Sequence, residues 1–380
     1  MKKQKICVLG NGLTGLTTAL MLGKLGHRVD LISKKNNKKI IDHRVTAISP
    51  SNYKNLIHNL GDNCKKIFWP CDKIKLYYEN LEKFVNFMSF ENNEKKVMYI
   101  VENQKLNKSI NKVIKRNKNI NIIQADIKKI SPEKTSLLIK KKEFFYDLII
   151  LCLGRKNNLI SQLIKNRSIS KNKGEIAVST IVKHNSSIEQ PRQYFFREGP
   201  FAILPINKKK FSVVWSLEKK YKHLEIKKIN ILIESKLKKI LDTKNNFLIG
   251  NTISFPISFI FNIQTFKKNI LIFGESSYNV EPIAGQGFNL ILRDIKKLCS
   301  EVKKYYSLGL SIKNSSLLSS FERSQKTENL LFGIGINFTH SFFKYINRVP
   351  TLKKIVLKDL NKFKFLKKMS LDISDRGIFK

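Results

Sequence analysis

Apolar residues along the chain follow two periods, and the changes between them predict an α/β protein. Residues 6–9 form a continuous apolar run, a glycine-rich turn follows, and apolar residues then recur at helical spacing as far as Leu25. Gly26 ends this predicted helix, and a second apolar run covers residues 29–32. Strand, turn, helix and strand in this order predict the first unit of a parallel sheet.

Farther along the chain the pattern predicts further strands and one more helix. Segments typical of strands cover residues 74–78, 97–100, 120–123 and 270–273. A helix is predicted at residues 102–116. Residues 174–259 are mostly strand-like, with turns predicted at Pro191, Gly199–Pro200 and Asn207–Lys208. The chain then returns to the first sheet and ends in helices, so we expect two packed, interleaved units.

The turn after the first strand carries three glycines with the spacing G-x-G-x-x-G. In this context Gly10 permits the tight turn, Gly12 lets a pyrophosphate come close, and Gly15 lets the helix pack on the sheet. The fingerprint expects an acidic residue ~20 positions farther on. Ser33 stands there instead, followed by Lys34. A serine can bond a ribose hydroxyl and a lysine favours a 2′-phosphate, so a bound NADP stays open.

A second glycine loop lies late in the chain. Residues 282–287, with Gly285 and Gly287, follow the apolar strand at 270–273 and precede a helical pattern at 290–295. Glycines let a bulky ligand approach the backbone. The N–H groups at a helix N-terminus, with the helix dipole behind them, favour negative charge. This loop therefore suits the anionic edge of a bound cofactor.

Composition adds a strong positive charge. The chain has 72 Lys and Arg against 29 Asp and Glu, a formal net charge of +43 over 380 residues. Such a charge is typical of proteins that bind nucleic acid or an anionic membrane. The lysines are nevertheless spread along the whole chain in doublets and triplets. A general compositional bias towards Lys, Asn and Ile gives the same even spread. Both interpretations stay open, although the sequence shows no nucleic-acid motif and we expect no nucleic-acid partner.

Cysteine usage and hydropathy favour a cytoplasmic location. The five cysteines are scattered and odd in number, which suits a reducing compartment. We see no signal peptide and no apolar run long enough for a transmembrane helix. Residues 330–338 and 342–343 are strongly apolar, and basic residues follow through Lys368. This end is expected either to lie on the inner face of a membrane or to pack as a helix on the rest of the protein.

Three motifs resemble those of the FAD-dependent aromatic hydroxylases, and most closely the branch that hydroxylates polyprenylated phenols in ubiquinone biosynthesis. Residues 42–49 resemble the segment D-x-R-x-x-A-x-S, and residues 199–205 with 211–215 resemble G-P-x-A-x-L-P…S-x-V-W. The family pattern P-x-x-G-Q-G-x-N-L…D is matched by Pro282, Gly285, Gln286, Gly287, Asn289, Leu290 and Asp294. The resemblance covers nearly the whole chain.

The resemblance implies a Rossmann-like FAD-binding domain interleaved with a mixed or antiparallel β-sheet substrate domain, and a helical C-terminus. The expected FAD-binding domain is discontinuous and comprises residues 1–72, 98–165 and 265–305. The expected substrate domain comprises residues 73–97 and 166–264. The expected helical C-terminal region covers residues 306–380.

The activity implied by the resemblance is that of a monooxygenase. Reduced FAD would react with molecular oxygen to give a C4a-hydroperoxide, which hydroxylates the aromatic ring of a polyprenylated phenol in ubiquinone biosynthesis. NAD(P)H is the expected reductant, and no metal is expected. A membrane surface and other ubiquinone-synthesis proteins are further candidate partners.

The same resemblance implies the site residues. The expected cofactor-binding residues are Gly10, Gly12, Gly15, Ser33, Arg44, Gly274, Glu275, Pro282, Gly285, Gly287 and Asn289. The expected catalytic residues are Gly285, Gln286 and Gly287, at the N1–O2 edge of the flavin, with Tyr278 as a candidate general base.

Departures from the family pattern keep two other functions open. Glu275 stands where an aspartate is usual, Tyr278 replaces a frequent histidine, and Leu153 replaces an aspartate linked with FAD and NAD(P)H contacts. With Ser33, these departures leave open a catalytically weakened accessory subunit of a ubiquinone-synthesis complex. The charge alone leaves open a nucleic-acid or membrane adaptor on the same fold.

Overall fold

The computed structural model describes residues 4–34, 42–80, 83–92, 95–154, 157–163, 168–171, 174–185, 188–257, 259–279, 287–313, 316–326 and 364–377. Within these ranges the chain forms two large sheets, three small sheets and helices that cover them. The predicted α/β class, with a Rossmann-like sheet and a mixed second sheet, is confirmed.

The first large sheet contains the N-terminal strand at its centre. In spatial order its strands are Phe266–Lys267, Ile270–Ile272, Leu148–Leu151, Lys5–Leu9, Arg28–Ser33 and Ile120–Gln124. The last five run parallel, and Phe266–Lys267 pairs antiparallel at the edge. Residues 6–9 and 148–151 are fully buried. Continuous apolar runs suit this sheet because both of its faces are covered.

Helices cover both large sheets, and α1, α3 and α6 follow the predicted apolar spacing. The helices are α1 (Leu13–Lys24), α2 (Pro50–Leu60), α3 (Asn103–Ile114), α4 (Asn158–Leu163), α5 (Ile226–Leu241), α6 (Gly287–Ser307) and the C-terminal helix Lys364–Arg376. Residues 316–326 are also helical. In α3, Leu106, Ile110 and Ile114 are fully buried at a spacing of four and share a core with α1 and α6. The helix predicted at 102–116 is thus confirmed.

The second large sheet has eight strands and mixed pairing. In order its strands are Leu248–Ile249, Ile176–Lys183, Lys210–Leu217, Gly199–Asn207, Arg192–Phe196, Lys73–Asn80 and Lys83–Glu91, and Ile253–Pro256 also pairs with Ile176–Lys183. Arg192–Phe196 runs parallel to Lys73–Asn80, and the other pairs are antiparallel. One face packs on α5, where Ile233 and Leu237 share a core with the fully buried Trp215.

Residues 174–259 form mainly strands, as predicted, but two details differ from the prediction. The sixteen-residue helix α5 lies within this stretch, which the sequence predicted as mostly strands. Gly199 opens a strand rather than a turn. It has φ +134°, and a Cβ there would lie 1.9 Å from the backbone oxygen of Ser216. Only glycine fits, because the neighbouring strand approaches so closely.

Three small sheets complete the structure. Their strands, sheet by sheet, are Val45–Ile48, Met98–Glu102 and Phe68–Cys71; Ile127–Ser131, Ser136–Ile139 and Lys142–Phe145; and Ser168–Lys171, Phe259–Asn262 and Tyr278–Asn279. The first of these sheets shares a small core with Leu204 of the eight-stranded sheet. The residue ranges given above for the domains stay a prediction.

The C-terminal helix docks on α2 and α6 through polar contacts. The backbone N–H and the hydroxyl of Ser51 donate to the Asp375 carboxylate at 2.7 and 2.8 Å. Arg293 donates from Nη1 to the backbone oxygen of Ile373 at 3.1 Å. Ser51 lies in the first turn of α2, where a carboxylate satisfies an otherwise unpaired N–H and meets the positive end of the helix dipole.

No helix within the described ranges is both long and apolar enough to span a bilayer. The apolar stretches at residues 330–338 and 342–343, for which a membrane surface was one expectation, lie outside the described residues.

We expect Asp375→Ala to lower the free energy of unfolding by about 1 kcal/mol, because the first turn of α2 loses its capping carboxylate. Chemical denaturation followed by circular dichroism measures this. Asp62→Ala is the control, since Asp62 pairs at the surface with Lys65 in the next turn and costs little. Equal losses in the two variants would contradict the capping role.

Candidate active site

A cleft of about 1200 Å³ lies between the parallel sheet and the eight-stranded sheet. Seven of the predicted site residues line it: Gly10, Gly12, Ser33, Arg44, Glu275, Tyr278 and Gly287. Three others, Gly15, Gly274 and Asn289, are described but do not line it. Pro282, Gly285 and Gln286 lie outside the described residues.

The first glycine turn holds α1 close to the sheet. Gly10 has φ +117°, and a Cβ there would lie 2.2 Å from the backbone oxygen of Cys152. A Cβ on Gly15 would lie 1.9 Å from the backbone oxygen of Gly10. Among the described residues beyond its immediate chain neighbours, none has an atom within 4 Å of where a Cβ on Gly12 would lie. Two glycines therefore serve close packing, while Gly12, the N-cap of α1, leaves room for a pyrophosphate at the helix N-terminus.

Arg44 is held by a network around Asp42. Its Nε and Nη2 donate to the two carboxylate oxygens of Asp42 at 2.8 and 2.9 Å. Asn103 donates to the same carboxylate at 3.2 Å and accepts a bond from the Thr46 hydroxyl. This bidentate geometry fixes the plane of the guanidinium at the edge of the cleft. Asp42 belongs to the sequence motif, and the structure shows that its carboxylate orients Arg44.

The pKa values of this pair move in the directions expected of an ion pair. The hydrogen bond to Asp42 raises the pKa of Arg44 against the opposing effect of burial, and the charges of Asp42 and Glu275 raise it further. Burial alone would raise the pKa of Asp42, but the hydrogen bonds and charge of Arg44 outweigh it and lower that pKa. Both groups therefore stay charged near neutral pH.

Glu275 reaches the cleft from a short 3₁₀ turn, Gly274–Ser276. Gly274 has φ +69°, and a Cβ there would lie 2.6 Å from a methyl carbon of Thr14. The turn therefore packs directly on the first turn of α1. The hydroxyl of Ser276 donates to the backbone oxygen of Gly154 at 3.0 Å, which ties the turn to the end of a neighbouring strand.

Tyr278 lines the cleft, but its hydroxyl points into the protein. It donates to the Asp294 carboxylate of α6, which also accepts a bond from Gln325 at 2.8 Å. Tyr278, Asp294 and Gln325 are all at most 5 % exposed. The arrangement favours a structural tyrosine that joins two elements, and the role of Tyr278 as a general base stays a prediction.

Asn289 connects α6 to the motif at residues 42–49. Its amide donates to the backbone oxygen of Ala47 at 2.8 Å. Its Oδ1 accepts from the Ser49 N–H at 2.9 Å and from Asn52 at 3.0 Å. These bonds use both the nitrogen and the oxygen of the buried side-chain amide. The side chain therefore positions residues 47–49 against α6. Its contact with a cofactor also stays a prediction.

The opposite wall of the cleft belongs to the eight-stranded sheet and is apolar. Ala202, Leu204, Val214 and Phe255 line it, together with Ser179. Ser179 pairs in register with Val214, which pairs with Ala202, so the three side chains form one row on the same face. Within the described part of the chain, the buried Ser179 hydroxyl has no hydrogen-bond partner. The sequence predicted strands here but not which residues line the cleft.

The arrangement fits the expected cofactor. A glycine turn with an open approach at Gly12, a fixed cation at Arg44 and the N-terminus of α6 at Gly287 line one continuous cleft. A dinucleotide needs these features in sequence along its length: room for phosphates, hydrogen-bonding groups, and a helix N-terminus for an anionic ring edge. The apolar wall faces this path and leaves room for a second, hydrophobic ligand.

We expect Asp42→Asn to weaken FAD binding about tenfold, because Arg44 loses the charge-assisted pair that orients it. Fluorescence titration of the apoprotein with FAD measures this. The lowered pKa of Asp42 means that the pair is intact above the usual carboxyl range and is lost only as pH falls through the lowered value. Asp72→Asn, which breaks an exposed pair with Lys96, should leave affinity unchanged; an equal loss would contradict the role of Arg44.

Comparison with known proteins gives concordant results. No protein-family model matches the chain. A ubiquinone biosynthesis monooxygenase, COQ6, of Dictyostelium discoideum is 22 % identical to this chain. The alignment, 447 residues long with its gaps, covers 97 % of this chain and 90 % of that protein. The crystal structure of p-nitrophenol 4-monooxygenase PnpA from Pseudomonas putida DLL-E4 superposes with TM-score 0.73 at 13 % identity, covering 96 % of this chain and 98 % of PnpA.

A second solved structure carries the cofactor. Klebsiella pneumoniae HpxO, in complex with FAD and uric acid, superposes with TM-score 0.74 at 13 % identity, covering 98 % of this chain and 97 % of HpxO. The resemblance to the FAD-dependent aromatic hydroxylases of ubiquinone biosynthesis is thereby confirmed, and the fold is that of the FAD-dependent monooxygenases.

Proposed function

We propose that the chain is an FAD-dependent monooxygenase that hydroxylates the aromatic ring of a polyprenylated phenol in ubiquinone biosynthesis. The observation that carries this proposal is that a dinucleotide turn and an apolar sheet wall line the same cleft. The similarity to COQ6 over nearly the whole chain supports the pathway. FAD, when bound and reduced, supplies the oxygen-activating chemistry.

The residues of this chain divide the binding of FAD among three elements. The N-terminus of α1 beyond Gly12 would hold the pyrophosphate and Gly287 at the start of α6 would hold the flavin ring, while Glu275 lines the same cleft. N–H groups at that helix start stabilise negative charge on the ring edge. The fixed guanidinium of Arg44 adds a cation near the same path.

The apolar wall defines the substrate side. Ala202, Leu204, Val214 and Phe255 offer hydrophobic contact to an aromatic ring and exclude water from it. The Ser179 hydroxyl is the one polar side chain of the five residues on this wall. A ring with a hydroxyl group and a hydrocarbon substituent suits such a surface better than a charged substrate.

The local charge separates this proposal from a binding module for polyanions. Of the described residues that line the cleft, four are cations, Lys34, Arg44, Lys108 and Lys128, and three are carboxylates, Asp42, Asp126 and Glu275. The chain as a whole has more than twice as many cations as carboxylates. The excess positive charge therefore lies outside the cleft, as a general compositional bias predicts, and the near balance of charges in the cleft does not suit a polyanion such as nucleic acid.

NAD(P)H is the proposed reductant. Leu153, which lines the cleft, replaces the aspartate that the family links with nicotinamide contacts. The neighbouring Gly154 is kept, and its backbone oxygen is occupied by Ser276. Consumption of NADH and of NADPH should therefore be measured separately, with a ferredoxin-type donor as the third electron source.

We expect the purified protein to show a flavin absorption spectrum and to release FAD on heating. A phenol with a short prenyl chain should accelerate NAD(P)H oxidation and yield a product heavier by one oxygen atom, detected by mass spectrometry. Incubation with ¹⁸O₂ should place the label in that product. A protein that fails to take up FAD, or that oxidises NAD(P)H equally with and without the phenol, would contradict the proposal.

A further inference from the structure

The end of the second parallel strand lacks the acid that a dinucleotide turn normally pairs with a ribose. Ser33 stands at this position and lines the cleft beside Gly10 and Gly12. A hydroxyl forms a weaker bond to a ribose hydroxyl than a carboxylate does, because the charge is missing. The adenosine half of FAD would therefore be bound less firmly unless another residue supplies a carboxylate.

Such a carboxylate lies at the end of the adjacent strand. Strand Ile120–Gln124 runs parallel to Arg28–Ser33, with Gln124 opposite Ser33. The N–H of Ala125 donates to the backbone oxygen of Ser33 at 2.9 Å, so the two strand ends leave the sheet side by side. Asp126 follows directly and lines the same cleft as Ser33. Ligands of parallel sheets bind at these carboxyl ends.

Lys34 lies beside this carboxylate at the edge of the cleft. Its Nζ lies 3.8 Å from Oδ1 of Asp126, and the two side chains are 79 % and 70 % exposed. An exposed pair at this distance is weak, so it costs little to bring a ribose between or beside the two groups. The cation also offsets the repulsion between Asp126 and a nearby pyrophosphate.

We propose that Asp126 replaces the missing acid and accepts hydrogen bonds from the ribose hydroxyls in the adenosine half of FAD. The carboxylate also repels a 2′-phosphate and pairs with the lysine that would otherwise bind one, so this end of the cleft excludes NADP. The inference rests on the proposed function in that it takes FAD as the cofactor. It concerns binding alone and involves no step of the reaction.

The test compares FAD with FMN, which lacks the adenosine half. Apoprotein is titrated with each by isothermal calorimetry. Asp126→Asn should weaken FAD binding about tenfold and leave FMN binding unchanged, since a hydrogen bond loses its charged acceptor. The double variant Ser33→Glu, Asp126→Asn should recover most of the FAD affinity, because it restores the carboxylate at the usual position. Asp62→Asn removes a surface acid paired with Lys65 and is the matched control.

Three results would overturn the inference. If Asp126→Asn binds FAD as the unaltered protein does, the adenosine half does not use this carboxylate, and the proposed function stands. If FAD and FMN lose affinity equally, Asp126 supports the structure of the site as a whole. If the unaltered protein binds no FAD, both the inference and the proposed function fail. Thermal unfolding of each variant verifies that the protein is folded.

Discussion

The contact of helix α1 with the end of the strand Leu148–Leu151 is the constraint on which the cleft depends. Gly10 lies against the backbone of Cys152, and Gly15 lies against the backbone of Gly10. Both contacts involve backbone atoms, which cannot rotate away as a flexible side chain can. The helix N-terminus and the carboxyl ends of the strands therefore open into the same space. A side chain at either glycine would push the helix off the sheet and widen the path along which phosphates bind.

The other walls of the cleft are held by residues that lie far apart in the chain. Asn289 bonds to Ala47 and Ser49, about 240 positions earlier. Asp375 bonds to Ser51, 324 positions earlier. These buried or partly buried polar bonds have fixed geometry, and each would leave unpaired groups if it broke. They join the segment that follows Arg44 to α6 and to the C-terminal helix, so segments far apart in the chain form one site.

Periodicity and short motifs predicted the parallel strands, α1, α3 and the first glycine turn, because all of these depend on neighbours in sequence. The Asp42–Arg44 pair is also local in sequence. Because Arg44 was expected to contact the cofactor, its ion pair with Asp42 was not predicted. Helix α5 was missed because the exposed Ile226 and Ile231 blur the apolar stripe of Ile229, Ile233 and Leu237. The positions of Asp126 and Ser179 in the cleft could not be predicted from the sequence. They depend on strand order and register, which are set by pairing between distant parts of the chain.

The departures from the family pattern distinguish a decayed site from an adapted one. In a decayed site, a replaced residue leaves its former partners unpaired or points into solvent. Tyr278 instead joins Asp294 and Gln325 in a buried set of bonds, and Glu275 lies in the cleft, where its charge raises the pKa of Arg44. Replacements that make their own contacts indicate selection for a working site. The same reasoning applies to Ser33, because Asp126, just after the adjacent strand, offers a carboxylate in the same cleft, and it favours the enzyme over a catalytically weakened accessory subunit.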